Sequence, residues 1–583
     1  MLGTHAGNDR LWRAVRGVVF CAAAVAAAGR PAPAQESPSA RIDALVQEAV
    51  QRYVQSQGQP RPAGAAPSAH PAEGPTISLT LDQAVKLALD QNLDIAVQRA
   101  NPEMADLSIA GLQATYRPTL TSTINDQRQT TPPTTLLTGS EAVHTTTTTV
   151  NAAVAENLPW GGGNVSLAWN NNRIDTDSFF YNFNPAYSST LTVQFTQPLL
   201  RGRRTDATRQ QLLVSRRNRD ISELQLQTTI VNTLTAVRDA YWDLVFALQS
   251  IDVAKQSLLL AHKLVEENQV RVKFGTMTRL DLVTAQAEEA SAEHALVLAE
   301  GNRRTAELAL KRLVVNGAQD PLWQQVIDPV DHPDLVAEPI DVEGAIRHAL
   351  AERTDLAQAK RQVEANRATL DYLHDQTRPQ ADLVANYSTA GLGGTELIRS
   401  GDIFTGQVIG TIPGGYGNAL STLASLDYPT WTIGVTVSYP IGQSAARAAA
   451  ARAQVEMRQV DTQVRNLEVA VVTEVTNAAI QVRNSFEGVR SAKVARQAAQ
   501  DKLDAEEKKF AAGMSTNYFV IQAQRDLADA ENAELQADVA CRKALVDFQR
   551  AQQTTLQGAG VAIVSTSGLE APAVGSGRPT GGQ

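Results

Sequence analysis

Side chains able to do covalent or acid–base chemistry occur along this chain but do not converge. The eight histidines are scattered, and no metal-binding motif is read among them. There is no glycine-rich phosphate loop and no nucleophile elbow. No cofactor, no metal and no enzymatic activity are therefore expected; a secreted hydrolase would need a convergent polar site, and none can be assembled. Two other patterns carry chemistry of a different kind. Arg201, Arg203, Arg204, Arg209, Arg216, Arg217 and Arg219 crowd one junction. In a chain of net charge −9 they suit anionic headgroups, or a plain solvated face, better than nucleic acid. The second pattern is a set of strand faces built from Thr, Asn, Ser and Gln, which suits the wall of a wet lumen.

Those polar faces must be held by strands, and the strands run into very long helices. Leu191, Val193 and Phe195 alternate with Thr190, Thr192, Gln194 and Thr196, a two-faced strand that stops at Pro198. The period then changes. Ile230, Leu234, Val237, Tyr241, Leu244, Leu248 and Ile251 recur at spacings of four and three, a coiled-coil seam. The helix predicted over 205–274 is about 100 Å long, more than a compact domain needs. Gly275 interrupts it, and a second helix over 276–315 returns antiparallel because the turn is short.

The chain has 583 residues. Arg10, Arg13 and Arg16 precede an apolar run from Gly17 to Ala28 and small residues ending at Ala32-Pro33-Ala34, which is a secretory signal pattern over 1–34. Its removal takes away four Arg and one Asp and moves the net charge from −9 to −12. Cys541 alone then remains, so no internal disulfide is expected. Residues 35–76 read as a short amphipathic helix followed by a Pro/Ala-rich linker. Beyond the signal no unbroken apolar run of about 20 residues occurs, so no transmembrane helix is expected. A closed β-barrel is the other way to cross a bilayer.

The folded body begins near Ile77. Helix is predicted from Leu79 to Arg117 with a break at Asn92-Leu93-Asp94, then strands within 119–197. The candidates are Thr119–Asp126, Thr146–Glu156, Asn164–Asn171 and Ser189–Gln197, with Gly161-Gly162-Gly163 as the turn of a hairpin. Trp160, Trp169, Phe179, Phe180, Tyr181, Phe183 and Tyr187 cluster here, which suits a membrane-interface girdle; the plainer alternative is a sandwich core. The pattern then recurs. Ala345, Leu350, Asp355 and Pro379 stand 261 positions after Ala84, Leu89, Asp94 and Pro118. The reading is a tandem repeat. The first copy spans 77–330. The second spans 331–556, with a helix over 342–378, strands over 381–439, a long helix over 444–512 and a helix over 514–555. The seam of its long helix is Val460, Val464, Leu467, Val471, Val475, Val482, Phe486 and Val489. A Gly/Ser/Ala/Pro-rich tail over 557–583 is predicted to be disordered.

Three segments in this order resemble the bacterial outer-membrane efflux proteins, the TolC-like channel-tunnels or outer membrane factors. They are Leu81-Asp82-Gln83-Ala84-Val85-Lys86-Leu87-Ala88-Leu89, Gln197-Pro198-Leu199-Leu200-Arg201-Gly202, and Phe274-Gly275-Thr276-Met277-Thr278-Arg279-Leu280-Asp281-Leu282. The resemblance covers about Ile77 to Thr555. It implies an α+β membrane protein: long antiparallel coiled-coil helices forming an α-barrel tunnel across the periplasm, and β-strands contributed to a trimeric transmembrane β-barrel. In the family each protomer of the homotrimer gives four strands to a 12-stranded barrel. The hairpin Thr146–Asn171 is additional, and the expectation is that it extends the extracellular end.

The resemblance also implies sites. Phe274, Gly275, Thr276 and Met277, with Ala512, Gly513, Met514 and Ser515, would be periplasmic tips that dock a periplasmic adaptor protein; helix-stop glycines are the plainer reading. Asp281 matches an acidic residue that helps hold the tip closed; the alternative is a helix-start carboxylate favoured by the helix dipole. In the second copy the matching acids would fall near Phe519 and Gln522, neither of which is acidic. Asn517, Tyr518 and Gln522 would then constrict the aperture by size and hydrogen bonding. The function implied is a passive exit duct of a tripartite efflux or type I secretion system, for small molecules or proteins. Its partners would be the adaptor, an inner-membrane pump and outer-membrane lipid, with the duct placed in the outer membrane of a Gram-negative bacterium and reaching into the periplasm. The competing class is a periplasmic coiled-coil scaffold with soluble β domains.

Overall fold

The computed structural model describes residues 75–132, 142–331, 340–401 and 407–555. The expected signal, the helix and linker before residue 75 and the tail after 555 lie outside the described residues. The chain separates into a helical unit and a sheet unit, each of which draws on both halves of the sequence.

The helical unit starts with strand β1 (Thr76–Leu79), then helices α1 (Leu81–Gln91) and α2 (Leu93–Ala114). Thr80 and Gln83 make a reciprocal capping box at the start of α1. Asn92 breaks the two helices apart because its side chain accepts from the amides of Asp94 and Ile95, capping α2. The first rod, α3 (Ala207–Lys273), is capped by Asp206, and α4 (Arg279–Val314) returns beside it. A 3-10 turn (Pro321–Gln324) leads into β6 (Val326–Pro329), which pairs in parallel with β1. That small sheet falls where only irregular chain was expected; four residues are too few to show a period.

The second copy repeats this plan with α5 (Val342–Glu352), α6 (Thr354–Gln376), a second rod α8 (Ala445–Ala511) and α9 (Asn517–Ala551). The helix expected over 342–378 is broken at Arg353, the counterpart of Asn92. Arg353 has no capping oxygen and ties the break together through its guanidinium, which reaches Asp355 at 2.7 Å, Glu474 at 2.7 Å and the Ala551 carbonyl at 3.2 Å.

Two cores follow the repeat. In the first, Ala84, Ala88 and Ile95 pack on Leu234, Val237, Tyr241 and Leu244 of α3 and on Leu310, Val314 and Ile327. In the second, Ala345, Ala349 and Leu356 pack on Val471, Val475, Ala479 and Val482 of α8 and on Phe548 and Ala551. The small Ala residues let α1 and α5 approach the rods closely. The first rod departs from expectation in one respect. An 18-residue window of α3 has a mean hydropathy of 1.3, enough on length and composition to cross a membrane. Only 28% of that window is buried, so the packing seam accounts for part of its apolar content and not for all of it.

The sheet unit contains β2 (Thr119–Thr131), β3 (Val143–Asn157), β4 (Asn164–Thr176), β5 (Phe183–Pro198), β7 (Gln380–Arg399), β8 (Val408–Ile412) and β9 (Pro429–Ser438), with a short helix α7 (Tyr416–Ser425). All pairs are antiparallel, and the order is β2-β3-β4-β5-β7-β9, with β8 on the far end of β7. The helix α7 corrects the expectation of strand throughout 381–439. It lies on β7 at Gly391 and Gly393, where an added Cβ would stand 2.0 Å from the Ala419 carbonyl and 2.6 Å from its amide nitrogen. Only glycine admits a helix backbone that close.

Candidate functional site

Because side chains alternate along each strand, residues paired across the sheet share a face. One such row runs through all six long strands: Leu120, Val154, Leu167, Val193, Tyr387 and Trp431. The rows on either side add Phe195, Val165 and Ile433, interrupted by Glu156 of β3, then Trp169 and Leu191, on the same face. The apolar rows from Val437 to Trp169 cover about 27 Å of strand, and less once strands tilt, close to the ~25 Å belt of a membrane barrel. The opposite face carries Thr121, Asn151, Asn170, Thr192, Asn386 and Thr432. Among the described residues of these paired strands that face is uncharged except for Asp382, at the end where the chain leaves the sheet, and Glu396, towards the far end of β7. A surface apolar on one side and neutral-polar on the other can divide lipid from water.

Above the apolar rows the same face turns polar, and α7 covers it. Ser189 and Tyr416 donate to Asn171 Oδ1, each at 2.7 Å, and Trp169 Nε1 donates to Ser189 Oγ at 2.9 Å. Phe179 and Phe180 stack edge-on at 5.3 Å among the aromatics flagged from sequence.

In the helical unit the two turns expected as tips are built alike. Gly275 and Gly513 adopt φ of +74° and +75°, the left-handed region that ends a helix without a Cβ penalty. Phe274 is four-fifths exposed and Met514 three-quarters. Thr276 bonds back to the Arg271 carbonyl, and Met277 packs on Leu264, Phe510, Val520 and Ile521. Ala512 closes α8, and Ser515 donates to Glu506 at 2.8 Å. That hydroxyl and the Lys509 ammonium at 2.6 Å hold the Glu506 carboxyl below the usual range, with Lys509 the larger cause.

The aperture candidates separate. Asp281 closes a capping box with Thr278, whose hydroxyl donates to it at 2.6 Å, so its carboxylate is engaged at its own helix start. Asn517 is buried. Its Oδ1 accepts from Asn268 at 2.9 Å and its Nδ2 donates to the Asp281 carbonyl at 3.1 Å, joining α9, α3 and α4. Tyr518 is exposed and stacked on Phe519. Gln522 donates to Asp526 at 2.8 Å, and Asp526 also meets Lys502 at 2.5 Å. Lys502, then Gln522, keep Asp526 below the usual carboxylate range.

Sequence reading missed Asn268 and Arg271. Asn268 lies four residues after Leu264 on the α3 seam, and a polar residue on such a seam marks a register contact. Arg271 stands 4.1 Å over the Phe510 ring, linking the ends of α3 and α8. Of the crowded arginines, Arg209, Arg217 and Arg219 are already held by Asp206, by Asp220 and Glu364, and by Asp106 and Glu223. That favours a cross-linked helix surface over a headgroup band.

The model of the family described as outer membrane efflux protein matches residues 84–315 and 345–552. No curated protein matches. Among solved structures the chain is similar to the outer-membrane channel OprN, at 18% identity and a TM-score of 0.58, covering 81% of this chain and 89% of that one. It is similar to VceC of Vibrio cholerae, at 15% identity, a TM-score of 0.57 and coverage of 81% and 95%. It is also similar to the Campylobacter jejuni CmeC outer membrane channel, at 15% identity, a TM-score of 0.57 and coverage of 82% and 86%. At these identities the likeness is one of fold.

Proposed function

The chain belongs to the outer membrane efflux protein family, and from that premise we propose that three copies assemble about a common axis into one continuous exit duct. Membership makes it an outer-membrane channel-tunnel of efflux systems in a Gram-negative bacterium and a transport duct without catalysis. The proposal concerns how this chain does that work. The observation that carries it is the row of apolar side chains from Leu120 to Trp431 across all six long strands, backed by a neutral polar face. Among the described residues of one chain β2 and β9 are each paired on one side only. In hydrocarbon such edges must be paired, so identical copies close the ring, β9 of one against β2 of the next.

The rods α3 and α8, about 100 Å each at 67 residues, are the staves of the tunnel. Phe274, Met514 and Leu280, exposed and apolar around the two glycine turns, are the docking surface for a periplasmic adaptor, which hands on cargo from an inner-membrane pump. Tyr518 and Gln522 narrow the aperture. The cargo, small molecule or protein, is set by the pump, since the duct supplies neither binding energy nor chemistry.

The test is conductance of the purified protein in planar bilayers together with its recovery as a trimer from outer membranes. A trimer that conducts supports the proposal; a periplasmic scaffold gives neither. For the tips, Phe274→Asp with Met514→Asp should abolish adaptor co-purification and leave trimer recovery unchanged. Unchanged co-purification would remove the docking surface from those turns.

A further inference from the structure

We propose that the hairpin β3–β4 forms part of the membrane wall, so that each protomer supplies six spanning strands and a three-fold ring closes 18. This rests on the reading of the chain as a three-fold channel and adds the size of its barrel, which family resemblance alone puts at 12 strands.

Four observations carry it. First, the pairing is continuous. β2 meets β3 from Thr119↔Ala155 to Thr131↔Val143, β3 meets β4 from Thr145↔Thr176 to Asn157↔Asn164, and β4 meets β5 from Asn164↔Thr196 to Ile174↔Ala186. A hairpin standing beyond the membrane would pair with its neighbours only near their ends. Second, Val154 and Leu167 continue the apolar row between Leu120 and Val193, while Asn151 and Asn170 continue the polar face. A water-exposed extension has no reason to keep that division. Third, the hairpin reaches the end at which the chain leaves the sheet for α3. Its turn is closed by Leu158 N donating to Gly163 O at 2.8 Å, and Gln197 Nε2 donates to Gly161 O at 2.7 Å, one residue before Pro198. A Cβ on Gly163 would meet the Gln197 carboxamide at 2.7 Å, so turn and strand end are in contact. Fourth, the added strands number two, which keeps β2 and β9 antiparallel where neighbouring copies meet.

The consequence is a wider outer-membrane opening. At a strand spacing of about 4.8 Å and a tilt of about 40°, 12 strands give a backbone diameter of about 24 Å and 18 strands about 36 Å. After side chains, the larger ring leaves an aqueous lumen of about 25 Å, in the range of open porins. Between Asp382 and Glu396, near its two ends, the lining is uncharged and sorts solutes little by sign of charge. The barrel therefore passes any hydrated solute or extended polypeptide that the helical tunnel admits, and selection falls to the tunnel.

The test uses the full-length protein in liposomes, with single spin labels at Leu167→Cys and Ala168→Cys on β4 and at Val193→Cys and Thr192→Cys on β5; the native Cys541 is fully buried. The expected result is that Leu167 and Val193 are relaxed by oxygen, and Ala168 and Thr192 by a water-soluble nickel complex. If both β4 sites lie in water while Val193 stays in lipid, the hairpin is outside the wall and the inference is overturned with the channel reading intact. If Val193 also lies in water, the channel reading falls and the inference with it. Electron microscopy of the unlabelled trimer decides the count without any variant: 18 strands support it and 12 overturn it.

Discussion

Asn517 is the residue whose loss should loosen the tip most selectively. It accepts from Asn268 Nδ2 at 2.9 Å and donates to the Asp281 carbonyl at 3.1 Å, so one amide joins three helices. Asn268 is fully buried and its own Oδ1 has no hydrogen-bonding partner. Asn517→Ala therefore leaves a buried carboxamide with neither end satisfied and frees the Asp281 carbonyl. An unsatisfied buried polar group costs about 1–3 kcal/mol, and the two losses together about 3 kcal/mol. At 1.4 kcal/mol per tenfold, that is a roughly 100-fold rise in local opening. Hydrogen exchange on the full-length protein reads this directly: amides at 264–281 and 515–524 should exchange roughly 100-fold faster, while those around Tyr241, packed in a separate core, should not change. Replacing both partners, Asn268→Leu with Asn517→Leu, should bring the tip back to within about tenfold of native, because an apolar pair removes the buried carboxamides and leaves only the Asp281 carbonyl without its side-chain partner. Unchanged exchange at the tip, or a rise of equal size along both rods, would refute the reasoning.

Three further outcomes are expected. Burial pushes the Asp239 carboxyl up to about 6, with the Lys543 ammonium opposing it; a raised carboxylate pKa favours the protonated folded state, so that contribution is present at pH 4 and lost as pH rises through about 6. Asp239→Asn should accordingly raise the melting temperature at pH 7.5 and have little effect near pH 4, as thermal scans at the two pH values will report. Glu307 is buried between Arg303 at 3.0 Å and Lys311 at 2.8 Å and accepts the Ile327 amide at 3.2 Å, so Glu307→Ala should cost roughly 3–5 kcal/mol and lower the thermal midpoint of the helical unit. At Gly391 a side chain would collide with the Ala419 carbonyl, so Gly391→Val should expel α7 from the sheet and expose residues 416–425 to limited proteolysis, whereas Gly434→Val, with open space around it, should not.

Much of the helical unit was legible because its signals are periodic and local. The seams of α3 and α8 could be written down from spacing, and Leu234, Val237, Tyr241, Val471, Val475 and Val482 are buried. The break at Asn92 was read from the sequence, and the structure shows it capped by that side chain; its counterpart at Arg353 was not read, because arginine carries no capping signature and the break there depends on distant Glu474. β1–β6 and α7 escaped for different reasons. The first is four residues paired across some 250 positions, and the second is helical because Gly391 and Gly393 leave room for it, which no local propensity records. The strands were read short, with β4 running to Thr176 beyond the expected Asn171, because polar Thr and Asn blur the alternation at the upper end. Among the site residues, the two glycine turns were visible as helix stops. The role of Asn517 depends on Asn268, 249 positions away, whereas Asp281 caps its own helix start through Thr278, three positions away.

The hairpin β3–β4 enters and leaves through the same end of the sheet, between β2 and β5, which would themselves be antiparallel neighbours if it were removed. Girth in this architecture is thus quantised: strands can be grafted only as pairs, and each graft interrupts one far loop while the junctions into the rods keep their sequence. A lineage could dilate or narrow its orifice by gaining or shedding such cassettes, with the parts that meet the pump left under separate selection.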